Sequence, residues 1–137
     1  MTILLNKETV EVNKEQDTIF LRNRVKECAT KTGMGLVNQT KLITAASELV
    51  RNMLRYAGNG IVIIETISKG RESGIKLVFK DNGPGISDIA LAMKDGFSTG
   101  KSLGLGLPGT KRLVSEFDIQ STPGKGTVIT IIKWKNG

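Results

Sequence analysis

The chain has 137 residues, none of them histidine, and a single cysteine, Cys28. Without histidine there is no Ser-His-Asp triad, no phosphohistidine chemistry on this chain and no imidazole metal site. One cysteine forbids an internal disulfide and a thiolate zinc cluster. Aromatic residues make up only 4% of the sequence, so a core must be built mainly of Ile, Leu and Val packed between a sheet and helices. Apolar runs such as Gly60-Ile-Val-Ile-Ile64 are far shorter than the roughly 20 residues a membrane crossing requires. The N-terminus also lacks the basic-then-apolar order of a signal peptide. A cytoplasmic protein with no membrane partner is expected.

The formal charge of +7 comes from Lys and Arg residues dispersed from Lys7 to Lys135. They are not interleaved with stacking aromatics, so nucleic acid is not the expected partner. Attraction for an acidic protein partner and for nucleotide phosphates accounts for the same excess. Long-range steering of either is salt-sensitive. The length suits one domain spanning residues 1–137, large enough to bury a core without a structural metal. No internal repeat, low-complexity segment or linker interrupts it.

Residues Ile3 to Val12 read as an opening strand, with Val10 and Val12 alternating inward. Asp17 or Thr18 can cap a helix running to about Lys31, with Ile19, Leu21, Val25, Cys28 and Ala29 on its inner side and Gly33 and Gly35 ending it. Cys28 on that apolar side reads as a buried, inert thiol. A second helix starts near Asn38, where Leu42, Ile43, Ala46, Leu49, Val50 and Met53 recur at helical spacing until the stretch from Tyr56 to Gly60 stops it. Ile61 to Ile67 and Ile75 to Phe79 flank a polar turn and form an expected antiparallel hairpin. Phe117 to Ser121 and Thr127 to Trp134 form another. Between the hairpins glycine recurs at 83, 85, 96, 100, 104, 106 and 109, with one short helical candidate at 87–94 and a helix over 108–116, its proline near the first turn. A loop this long in a small domain is usually a lid or a binding loop.

Three strings carry chemistry. In Glu48-Leu-Val-Arg-Asn52 the acid and the amide are four residues apart on a helix and project from one face. A carboxylate there can accept a proton from an attacking hydroxyl, and an amide oxygen can bind Mg2+ bridging nucleotide phosphates. Equally, Glu48 can merely pair with Arg51 or Arg55 while Asn52 faces solvent. In Asp81-Asn-Gly-Pro-Gly85, at the end of a strand, an ionised carboxylate only accepts hydrogen bonds. That suits the exocyclic amine of adenine and opposes the carbonyl guanine carries there. The same string would also serve as a plain Asx-type turn. In Gly104-Leu-Gly-Leu-Pro-Gly109, backbone N–H groups at a helix start can cradle phosphate oxygens. The match to G-x-G-x-x-G is not a dinucleotide fingerprint, because no strand precedes it and no β-α-β unit surrounds it. Nor is it the glycine loop of eukaryote-type kinases, which needs a downstream His-Arg-Asp. Lys101 can meet a terminal phosphate or simply be solvated. A fourth piece, Gly124-Lys-Gly126-Thr127, also reads as an ordinary hairpin turn.

In this order, the strings resemble the N, G1, G2 and G3 boxes of the GHKL superfamily, which joins gyrase B, Hsp90-type chaperones, histidine kinases and MutL. The resemblance spans nearly the whole chain. The small size is similar to that of the bacterial anti-sigma serine kinases. Ser47-Glu-Leu-Val-Arg-Asn52, Asp95-Gly-Phe-Ser-Thr99 and the stretch from Gly104 to Leu113 resemble the switch-protein serine kinases of stressosome modules, the RsbT type, more than RsbW-type anti-sigma factors. What the resemblance implies is an α/β (α+β) two-layer sandwich, a mixed, mostly antiparallel sheet with helices on one face, the Bergerat ATP-binding fold. It implies ATP and Mg2+ as cofactors. Glu48 would be the general base and Asn52 the metal ligand. Asp81 would contact adenine with Thr127 assisting through water, Gly83 and Gly85 would shape the base pocket, and Gly104, Gly106, Leu107 and Gly109 would line the phosphates. Gly100-Lys-Ser-Leu103 departs from the smaller, more glycine-rich lid expected of the group and leaves the role of Lys101 open. The implied activity is a protein serine/threonine kinase acting as a partner switch on STAS-domain antagonist or scaffold proteins and activating a PP2C-type phosphatase when released. The alternative is an anti-sigma factor or nucleotide-dependent binding switch with little turnover. A detached histidine-kinase catalytic domain is disfavoured by the missing phosphoacceptor histidine and dimerisation helix. The resemblance does not fix a homo-oligomeric state.

Overall fold

The computed structural model describes residues 1–86, 93 and 106–137. Along these residues run β1 (Thr2–Val12), α1 (Gln16–Thr32), α2 (Leu36–Tyr56), β2 (Gly60–Lys69), β3 (Glu72–Asp81), α3 (Gly106–Leu113), β4 (Glu116–Thr122) and β5 (Gly126–Trp134). The strands form one sheet in the order β1-β2-β3-β5-β4. Among the described residues every pairing is antiparallel, where the resemblance implies a mixed sheet. The reason is connectivity: β2-β3 and β4-β5 are hairpins, and β5 returns beside β3 in the opposite sense.

Side chains alternate across a strand, so one face of the sheet is lined by rows of cross-strand neighbours. One such row is Val10, Val62, Phe79, Ile129 and Ile119, and the next contains Ile64, Leu77, Ile131 and Phe117. The helices cover this face. Leu21, Val25, Cys28 and Ala29 of α1 and Leu42, Ala45, Ala46, Leu49, Val50 and Met53 of α2 join the same buried cluster. Each fully buried aliphatic side chain contributes about 1.5–3 kcal/mol. On α1, Ile19 is 62% exposed rather than turned inward. It precedes Cys28 by nine residues, which at 3.6 residues per turn puts it about 180° round the helix.

The ends of the elements show what local sequence dictates. α1 begins at Gln16 instead of being capped by Asp17 or Thr18. Asp17 sits in its first turn, and its carboxylate accepts the backbone N–H groups of Asn13 and Lys14 at 2.8 and 3.2 Å. Negative charge is favourable at that end of a helix. Gly33 terminates α1 as expected, and α2 then starts at Leu36, two residues earlier than its spacing predicts. The β2-β3 hairpin is tighter than its polar sequence suggests, because Lys69 pairs with Glu72 and only Gly70 and Arg71 form the loop. Arg24 joins α1 to β1 through a forked contact, Nε and Nη2 each 3.0 Å from a carboxylate oxygen of Glu8. Burial first, and then the charge of Glu8, push the Cys28 thiol above its ordinary pKa, in keeping with an inert thiol.

Candidate functional site

At one end of the helix-covered face, the apolar row of Phe79, Ile129 and Ile119 gives way to a polar one. Asp81, Thr127 and Ser121 occupy directly opposed positions on β3, β5 and β4. Opposed residues share a face, so these three side chains lie in one line. The Asx-turn reading of Asp81 holds, because its Oδ1 accepts the N–H of Gly83 at 2.9 Å. That bond uses one carboxylate oxygen. The other retains acceptor capacity, so the turn and a ligand contact are compatible.

Two loops close around this row. The segment after Asp81 is tied to the β4-β5 turn by the Gly124 N–H donating to the Pro84 carbonyl at 2.7 Å and the Ile86 N–H donating to Ser121 Oγ at 2.7 Å. At Gly85, φ is 76° and a Cβ would lie 2.4 Å from the Thr122 carbonyl oxygen; at Gly126, φ is 108° and a Cβ would lie 2.1 Å from that of Asp81. Neither position admits a side chain, by conformation or by space. Gly83 brings the same segment against α2, where a Cβ would meet that of Ala57 at 2.6 Å. The hairpin-turn reading of Gly124-Lys-Gly126 is therefore also correct, and the turn walls the polar row.

The second group lies where α2 meets α3. Glu48 is 8% exposed, and both its carboxylate oxygens accept from Nη2 of Arg51, at 2.8 and 2.9 Å. Pairing with Arg51 is what the plain reading of the string expects. Burial is what a surface pair would lack, and the carboxylate also faces the N–H of Gly106 at 3.3 Å, at the start of α3. An acid at a helix N-terminus is electrostatically favoured. Leu107 packs against the core, Gly109 is half-buried on α3, and the Thr110 hydroxyl, fully buried, donates back to the Gly106 carbonyl at 3.0 Å. α3 spans 106–113 instead of 108–116, so Gly106 is its first residue and Pro108 still falls in its first turn, where no amide hydrogen is needed. Asn52 is half-buried one turn along α2 from Glu48.

The expected site residues thus fall into two groups joined by α2: Glu48, Asn52, Gly106, Leu107 and Gly109 on the helices, and Asp81, Gly83, Gly85 and Thr127 at the sheet end. Lys101, Gly104 and, apart from residue 93, the helix expected at 87–94 lie outside the described residues. Ser121 was not among the expected site residues, and Gly126 was read only as part of the Gly124-Lys-Gly126-Thr127 string. Their signal was in the hairpin itself, because counting outward from a turn at 123–125 pairs Thr122 with Gly126 and Ser121 with Thr127. Among the described residues there is no cluster of three or more acidic or thiol ligands able to hold a metal unaided. A cation here would need oxygen ligands from a bound phosphate chain, as Mg2+ commonly takes them.

A sheet covered on one face by helices, with a polar row at the sheet end and a buried carboxylate facing a helix N-terminus, defines a class. Residues 37–136 match the family of histidine kinase-, DNA gyrase B- and HSP90-like ATPases, and the chain belongs to that family. Within it, the sequence is 45% identical over 125 residues to the serine/threonine-protein kinase RsbT of Bacillus subtilis, covering 91% of this chain and 94% of that protein. It is 30% identical over 129 residues to the anti-sigma F factor of a Thermoanaerobacter species, covering 90% and 89% respectively. A solved structure containing the RsbU and RsbW domains of a Mycobacterium tuberculosis protein matches in fold over 94% of this chain and 32% of that one, with a TM-score of 0.64 at 17% identity.

Proposed function

We infer that the chain is an ATP-dependent protein serine/threonine kinase that works as a partner switch. The observation that carries this reading is a buried carboxylate, Glu48, facing the first N–H of α3 in a chain 45% identical to a serine/threonine-protein kinase along 91% of its length. Asp81 and Thr127 receive the adenine, and the amides opening α3 meet the phosphates. Glu48 orients the substrate hydroxyl and takes its proton as the oxygen attacks the γ-phosphorus and the bond to the bridging oxygen breaks, releasing ADP. The Asn52 amide oxygen would help hold Mg2+ on the triphosphate, and the bound ion would supply charge to offset the phosphates.

The substrates are small STAS-domain proteins in the cytoplasm, and release from a scaffold of that kind frees the kinase to activate a PP2C-type phosphatase. The likeness to anti-sigma F factors supports a second reading, a nucleotide-dependent binding switch with little turnover. Transfer of labelled γ-phosphate to candidate STAS proteins separates the two. Wild-type transfer lost in Glu48→Ala, with ATP binding kept, supports the kinase. Absence of transfer with nucleotide-dependent complex formation on gel filtration favours the switch, and transfer at the wild-type rate by Glu48→Ala removes the base from its role.

A further inference from the structure

Ser121 is half-buried on β4, where the two loops meet, and three groups converge on its hydroxyl. The Ile86 N–H donates to Oγ at 2.7 Å, the Gly126 carbonyl accepts from it at 3.0 Å, and Thr127 Oγ1 stands 2.9 Å away. A serine hydroxyl has one proton and two lone pairs. With the proton directed to Gly126 and one lone pair taken by Ile86, only a lone pair faces Thr127, so Thr127 donates. Its own proton is then spent inward, and the rest of its oxygen is an acceptor.

We propose that Ser121 is a specificity-determining positioning residue: by consuming the proton of Thr127 it makes the Asp81-Thr127 row a pair of acceptors that selects an amine-bearing nucleobase. The proposal rests on the reading that this row meets the base of ATP. Adenine presents an amine to such a row, directly or through a water that donates to both residues. Hypoxanthine and guanine present a carbonyl at the same place and leave the acceptors unpaired, which a buried site punishes. Without Ser121 the Thr127 hydroxyl is free to reverse and donate to that carbonyl. Discrimination then narrows even though neither Asp81 nor Thr127 has changed.

The test is calorimetric titration of the full chain with ATP and with inosine triphosphate. Ser121→Ala should weaken ATP about fivefold, the size of one net hydrogen bond, while inosine triphosphate binds as before or better, so the preference shrinks by at least that factor. Ser121→Thr, which keeps the hydroxyl, should restore the preference. In a Thr127→Val background Ser121→Ala should leave the preference unchanged. Equal losses for both nucleotides would mean a merely structural serine and overturn the proposal, as would a shift that persists without the Thr127 hydroxyl. If Ser121→Ala does not fold, Ser121→Cys, close in shape but a weak acceptor for the Thr127 proton, replaces it: a narrowed preference supports the proposal, and equal losses overturn it. A wild-type chain that does not bind ATP, or an Asp81→Asn variant that binds it unchanged, strikes the nucleotide site itself. Intact binding, a strong Asp81 effect and an unaltered preference in the serine variants strike Ser121 alone.

Discussion

The two ends of the candidate site are built by different physics. At the sheet end, Asp81, Thr127 and Ser121 are held by strand register and by hydrogen bonds between two loops that leave no room for a Cβ. At the helix end, Glu48 is held by one arginine and one backbone N–H across a junction between α2 and α3. The first arrangement is rigid and fits recognition of a flat base, whose donors and acceptors have fixed directions. The second depends on the packing of α2 against the start of α3, which suits a group that must meet a substrate during transfer.

The largest effect that would sharpen this contrast is expected at Glu48. Glu48→Gln keeps an acceptor for Gly106 but removes the proposed base, so labelled phosphate transfer should fall about 10²- to 10⁴-fold, with ATP affinity within a few fold by calorimetry. A parallel loss of both would merge the two ends into one. Next is Gly126→Ala, where a Cβ would sit 2.1 Å from a carbonyl at φ 108°. A loss of at least ~3 kcal/mol in urea unfolding is expected from strain and overlap, and a well-tolerated alanine would show that the loops are not locked. Asp81→Asn replaces an acceptor-only group, and ATP affinity should drop about 10- to 100-fold, the range of a hydrogen bond to a charged group. Unchanged affinity would dismiss the base contact.

Smaller effects are expected away from these positions. Arg51→Ala removes the cation beside a buried carboxylate, but Arg51 is itself 45% exposed. Screening limits the cost to about 1 kcal/mol, and less in high salt. A loss above ~3 kcal/mol would mark the pair as a buried structural bridge. Cys28, with its pKa raised chiefly by burial, stays largely protonated at pH 8. Its alkylation should be slow in the native chain and become fast in urea; rapid native labelling would reveal an open α1.

Much of this was legible in the residues. Val10, Val12 and the series from Leu42 to Met53 announce inward faces by spacing alone, and the glycines at 85 and 126 stand where loops close. Ile19 was not, because an apolar residue near a helix start fits an inner face until the whole helix is phased. Glu48 and Asp81 each carry one innocent reading, an ion pair and an Asx turn respectively. Both are realised in the structure without displacing the functional reading, since each contact leaves acceptor capacity in place. Lys133 is 4% exposed in β5, and burial, with Lys41 second, lowers its pKa. No pattern in the sequence signals this, for lysine on a strand ordinarily reads as solvent-facing.

The sequence by itself determined the class of chemistry, because residue types fix which atoms can donate, accept or carry charge, and short-range spacing fixes helix faces and turns. Only the tertiary structure decided that Ser121 Oγ lies within hydrogen-bond distance of both the Gly126 carbonyl and Thr127, and that Glu48 is buried against the start of α3. Those contacts join residues far apart along the chain or across a hairpin, and they exist only once strands have a register and helices have a seat.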